Sequence, residues 1–128
     1  MKCVAVILCL VGGPLVGQTA SGNEIAAACE NTDNADVKTG YCIGYIIGAW
    51  EGMKIGAFQM LIVGGVTGST SELDQTANNL LGICLPEGVE RGQIVDVSTN
   101  YLANNPAKRH LPARSLIRDA LAESFPCE

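Results

Sequence analysis

From Val37 to Leu61 the chain has no proline, and Tyr41, Cys42, Ile43, Tyr45, Ile46, Ile47 and Trp50 put apolar side chains on nearly every side of the helix this segment predicts. A helix of that kind belongs in the middle of a small core. Glycine recurs at every fourth position, Gly40, Gly44, Gly48, Gly52 and Gly56, lining small residues along one helical face. Glycine inside a helix costs about 0.8–1 kcal/mol relative to alanine. The pattern therefore predicts another backbone packed closely against the stripe.

Ahead of this helix, Gly22 to Thr39 reads as polar and weakly structured until Asp33 or Asn34 offers an N-cap. After it, the apolar run Leu61–Gly68 is broken by Gly64, Gly65 and Gly68, which ends the helix near Val63. Thr70 or Ser71 then caps a short helix reaching Asn79 and Leu81, with Glu72 and Asp74 in its first turn. Pro86 to Gly88 makes a turn after Cys84, and Ile94, Val97, Tyr101 and Leu102 recur at helical spacing up to Asn104-Asn105-Pro106. Pro112 starts a last helix at its first position, with Ala113, Leu116, Ile117, Ala120 and Leu121 as its apolar stripe and Phe125-Pro126-Cys127 as its end. No strand-like alternation of comparable length occurs. The predicted class is all-α, a small single-domain bundle of four to five helices.

The first 22 residues change how the cysteines are read. Met1-Lys2, the apolar run Cys3–Leu10 and the small residues leading to Ala20 and Gly22 have the layout of a secretory signal peptide, with residues 23–128 as the exported domain. A cut after Gly17, Ala20 or Gly22 would leave a small residue at the scissile bond. Export to the periplasm or beyond removes Cys3 and Cys9 and leaves Cys29, Cys42, Cys84 and Cys127, an even set that predicts two disulfides in an oxidising compartment. Three connectivities are open. The nested one, Cys42–Cys84 inside Cys29–Cys127, is favoured here because it staples both ends of the domain around a shared core. Zinc is disfavoured, since there is no C-x-x-C pair and His110 is the only histidine.

Without Lys2, seven Lys and Arg face thirteen Asp and Glu. The excess of negative charge argues against nucleic acid as a partner. Membrane insertion of the long helix is disfavoured as well. Nine Ile, Leu, Phe or Val residues between Ile43 and Val66 gain about 0.3–0.6 kcal/mol each, whereas Glu51 and Lys54 cost about 2.5–3.5 each. No cofactor is expected, and no catalytic constellation is legible: His110 lies beside a proline-bounded turn, and neither a nucleophile elbow nor a phosphate-binding loop is present. The chain is read as a binding protein. Its candidate contact segment is Gly68, Ser69, Thr70, Ser71, Glu72 and Asp74, a polar stretch that a stapled scaffold would present at low entropic cost.

Y-C-I-G-Y-I-I-G at 41–48, C-L-P-E-G-V at 84–89 with Gln93 following, Y-L-A-N-N-P at 101–106, R-H-L-P-A at 109–113 and A-L-A-E-S-F-P-C at 120–127 follow one another in this order. The set resembles the small helical periplasmic immunity proteins of bacterial type VI secretion systems. That resemblance implies a non-enzymatic protein that occludes the active-site cleft of a peptidoglycan amidase effector, and it makes a homodimer a further expectation. The glycine-heavy helix and the connection from Gly64 to Gly68 depart from the family's pattern. The alternatives are a periplasmic acid-stress chaperone, for which the thirteen acidic groups supply the titration, and an envelope interaction protein without a toxin partner.

Overall fold

The computed structural model describes residues 19–30 and 35–128. Among the described residues five helices make an all-α domain: α1 Gly22–Cys29, α2 Ala35–Val63, α3 Thr70–Leu81, α4 Arg91–Asn104 and α5 Ala113–Ser124, with a 3-10 turn at Pro106–Lys108. Asp33 and Asn34, expected to cap the long helix, lie outside the described residues.

Helix α1 corrects the expectation of a weakly structured start. Ser21 is its N-cap, its hydroxyl accepting from the Glu24 N–H while the Glu24 carboxylate accepts from the Ser21 N–H at 2.7 Å. This reciprocal capping box satisfies two backbone donors at once. The segment ahead of α1 is also tied down. Gly22 N–H donates to Leu111 O at 2.9 Å, Asn23 N–H to Arg109 O at 2.8 Å, and Ala113 N–H to Ala20 O at 2.8 Å. The folded body therefore includes Ala20, Ser21 and Gly22.

The core forms where α1, α4 and α5 pack on one side of α2. Ile25, Ile46, Ile83, Leu102, Leu116, Ile117 and Leu121 are fully buried. The expected stripe of α5, Ala113, Leu116, Ile117, Ala120 and Leu121, is buried throughout. On α4 the buried residues are Ile94, Ser98 and Leu102, one i, i+4 row. Ser98 is tolerated in the core because its hydroxyl donates to Ile94 O at 2.8 Å. Arg109 then closes the end of α4, its Nε donating to Leu102 O and its guanidinium to Ala103 O.

Each disulfide joins two consecutive cysteines among the four in the described residues. Cys29 pairs with Cys42 and Cys84 with Cys127, which overturns the nested Cys42–Cys84 and Cys29–Cys127 arrangement. The reason is local. Helix α1 ends at Cys29 and packs against the start of α2, so Cys42 on that buried face is the thiol within reach. At the other pole Cys84 N–H donates to Phe125 O at 2.9 Å, which lays the C-terminal strap against the α3–α4 connection. In the chain-entropy account, loops of 13 and 43 residues contribute about 3 and about 4 kcal/mol.

The long helix departs most from expectation. Cys42, Ile46, Trp50 and Ala57 are buried along one side, but among the described residues nothing covers the glycine side. A Cβ placed on Gly40, Gly44, Gly48, Gly52 or Gly56 would meet no atom within 4 Å. The close-packed backbone that the glycine stripe predicts is absent from the described residues. By length and composition Val37–Val63 is long and apolar enough to cross a membrane, and 17% of its most apolar window is buried. Its two central charges are engaged by the same domain: Glu51 with Arg91 of α4 at 2.9 Å and Lys54 with Asp74 of α3 at 3.0 Å.

Candidate partner-binding surface

Helix α2 continues past the core, and α3 returns along it, so the two make a hairpin whose tip lies away from the α1–α4–α5 body. Gly65 ends α2 with φ +78°. Its N–H donates to Ile62 O at 3.0 Å while Val66 N–H donates to Leu61 O at 3.0 Å. This is a Schellman closure, which needs a left-handed residue at that position. Ser69, and not the expected Thr70 or Ser71, caps α3, because Ser69 stands three residues before Glu72 and so completes a second capping box: its hydroxyl accepts from the Glu72 N–H, and the Glu72 carboxylate accepts from the Ser69 N–H at 2.8 Å. The connection is thus held at both ends by backbone hydrogen bonds.

The polar segment singled out from sequence divides on this geometry. Gly68 lies in the connection, Ser69 is the cap, and Thr70, Ser71 and Glu72 form the exposed first turn of α3. Much of their hydrogen-bonding capacity is already used. The Ser69 hydroxyl is shared between Glu72 and Ser71, and the Ser69 N–H and then its hydroxyl hold the Glu72 carboxyl below the ordinary carboxylate value. Asp74 sits one turn further along, paired with Lys54, whose ammonium lies 5.7 Å from the Trp50 ring centroid. Gly68 to Glu72 are therefore together at the tip, while Asp74 belongs to the hairpin's stem.

Sequence reasoning missed what the tip chiefly exposes. Met60 is 67% exposed, Ile62 47%, Val63 86% and Val66 42%. These residues read as the buried end of a core helix. The available signal was charge: from Ile55 to Ser71 there is no Asp, Glu, Lys or Arg. A solvated helix end and loop ordinarily carry some, so an exposed apolar tip rimmed by Ser69, Thr70 and Ser71 has the character of a contact surface.

The remaining chemistry-bearing residues are not gathered into a site. His110 is exposed with Nδ1 3.0 Å from Ala107 O and stands apart from the hairpin. Among the described residues no group of three or more His, Cys, Asp or Glu is placed to hold a metal ion.

A model of the Rap1a immunity proteins matches residues 21–127. The chain belongs to the Rap1a immunity protein family. Rap1a proteins serve type VI secretion, so membership makes this chain an immunity protein whose partner is a cognate effector. The matched stretch opens at Ser21, the cap of α1, and closes at Cys127, so it spans both disulfides. Two disulfides in a Rap1a domain fit an oxidising, extracytoplasmic compartment. Comparison with curated proteins and with solved structures finds no match.

Proposed function

We propose that this Rap1a protein is exported to the periplasm and silences a peptidoglycan amidase by seating the α2–α3 hairpin tip in the enzyme's cleft. The observation that carries the reading is the tip itself: Met60, Ile62, Val63 and Val66 exposed on a closed, doubly capped connection. An apolar knob on a helical stem loses little freedom on binding, and its burial supplies the affinity. Gly68, Ser69, Thr70, Ser71 and Glu72 form the polar rim that faces the groove's edge. Asp74 keeps the stem in register through Lys54. The chain acts by occlusion and performs no chemistry of its own.

An acid-stress chaperone hides apolar surface under ionised carboxylates and releases it on protonation. Here the exposed apolar stretch from Ile55 to Ser71 has no ionisable carboxylate within it. That favours constitutive binding over an acid trigger.

Titration calorimetry of the exported domain against the amidase encoded beside its gene tests the proposal. Nanomolar binding at neutral pH supports it. Absence of heat with an active, folded amidase, or equal affinity for unrelated hydrolases, contradicts it.

A further inference from the structure

The two disulfides are not equivalent, and the difference is independent of the hairpin tip and of which effector is bound. Cys42 is 4% exposed and belongs to the buried core, so a thiol cannot reach its sulfur from solvent. Attack on its half-buried partner Cys29 is no easier. The departing thiolate would be Cys42, left without solvent among apolar side chains, and such a thiolate leaves slowly. At the other pole both sulfurs are within reach of solvent: Cys84 is half-buried in the α3–α4 connection, and Cys127 is half-buried one residue before the exposed Glu128.

Each sulfur of this second pair also has a polar neighbour outside the bond. Cys84 Sγ lies 3.3 Å from Asn79 Oδ1, and Cys127 Sγ lies 3.8 Å from Asn78 O. Both oxygens can accept from a thiol S–H, so the reduced pair would not be left without partners. A thiolate is served on one side only. Asn79 is exposed and its side chain makes no other hydrogen bond among the described residues, so its carboxamide can turn its NH2 towards a Cys84 thiolate. Cys127 faces a backbone carbonyl, which cannot donate, and is followed by the Glu128 carboxylate.

We infer that Cys84–Cys127 is a thiol-exchange site, at which a small thiol of the glutathione class bonds to Cys127 and releases Cys84. The reagent's thiolate attacks Cys127 Sγ, the Cys84–Cys127 bond breaks, and its electron pair leaves on Cys84 Sγ, which takes up a proton. The product is a mixed disulfide on Cys127 beside a free Cys84 thiol. A second reagent thiolate then attacks the reagent's sulfur in that mixed disulfide, giving the oxidised reagent and a Cys127 thiolate that takes up a proton. The fold persists, because Cys84 N–H still donates to Phe125 O and Leu121 stays in the core. What is lost is the constraint on the unfolded chain, a loop of 43 residues. The thiol supply around the protein therefore sets how long the fold survives, not what its tip binds.

Treatment of the oxidised, exported domain with reduced glutathione at neutral pH, quenched at timed intervals with N-ethylmaleimide and mapped by peptide mass spectrometry, reads the exchange. Early in the reaction glutathione is expected on Cys127 and maleimide on Cys84, with Cys84–Cys127 opening roughly tenfold or more faster than Cys29–Cys42 and the helical spectrum unchanged. Asn79→Ala is expected to slow the opening of Cys84–Cys127 severalfold, while the rate at Cys29–Cys42 and the helical spectrum stay those of the parent. Equal opening of both pairs, or opening only as helix is lost, overturns the inference, because reduction then follows unfolding. Glutathione found first on Cys84, or an opening rate that Asn79→Ala leaves unaltered, overturns it as well, because Asn79 then does not receive the leaving thiolate.

Discussion

The same substitution, glycine to alanine, should change stability in opposite directions at Gly22 and Gly56. At Gly56 a new Cβ meets nothing within 4 Å, so only the helix propensity acts, a gain of about 0.8–1 kcal/mol. At Gly22 it would lie 2.9 Å from Arg109 O and 3.0 Å from Arg109 Cα, with a Leu116 methyl group closer still. Arg109 cannot yield cheaply, because its carbonyl accepts from Asn23 N–H and its Nε donates to Leu102 O. Overpacking of this kind costs about 1–3 kcal/mol, which exceeds the propensity gain. For a domain of this size 1 kcal/mol moves the midpoint by about 4–8 °C. Thermal unfolding of an oxidised chain beginning at Gln18, followed by circular dichroism in dilute solution, should therefore place Gly56→Ala several degrees above the parent and Gly22→Ala several below. A lower midpoint for Gly56→Ala would mean that something packs on the glycine stripe and would refute the open-face description. An unchanged midpoint for Gly22→Ala would refute the docking of the N-terminal segment.

Peptide mapping of the unreduced protein should yield Cys29–Cys42 and Cys84–Cys127 peptides, and replacing the second pair with serine should cost about 4 kcal/mol in urea unfolding. Glu24 and Glu72 are held below the ordinary carboxylate value by their capping boxes, first by the serine N–H and then by its hydroxyl. Their contribution is fully present above the unfolded carboxyl value and is lost as pH falls through the lower, folded value. Glu72→Gln, which removes the titrating group, should flatten the acid limb of the stability profile, and a limb unchanged in that variant would sink the assignment. Val63→Asp places a charge on the most exposed large apolar residue of the tip, so it should leave the unfolding free energy within about 0.5 kcal/mol of the parent and weaken effector binding at least tenfold by calorimetry.

Sequence legibility followed how local each determinant is. Helices α3 to α5 could be read because hydroxyl residues, Asn105-Pro106 and Pro112 punctuate them and the apolar stripe of α5 repeats at helical spacing, although the starts fall a residue or two off: Ser69 caps α3 in place of Thr70 or Ser71, and Pro112 is the N-cap of α5 instead of its first residue. Helix α1 is equally well written, as Ser21-x-x-Glu24, but Ser21 falls in the expected leader and Glu24 in the stretch read as weakly structured, so the capping box is split between two segments. Which side of α2 is buried cannot come from a pattern that is apolar all round. Only the packing of α1, α4 and α5 decides it, and that packing leaves the glycine side open. Connectivity of the cysteines failed for the same reason, since it depends on α1 folding back onto α2. At the candidate site the polar residues were legible and the apolar ones were not. Met60, Ile62 and Val63 look like core until the hairpin's position is known.

Whether the α2–α3 tip blocks an effector's catalytic cleft, as proposed, is decided by the turnover of peptidoglycan fragments by an amidase encoded beside this gene, titrated with this chain. Hydrolysis is expected to fall to background at one chain per enzyme, and Val63→Asp to restore it with the fold intact. Full-rate hydrolysis with the wild-type chain bound, or equal inhibition by Val63→Asp, would contradict the proposal.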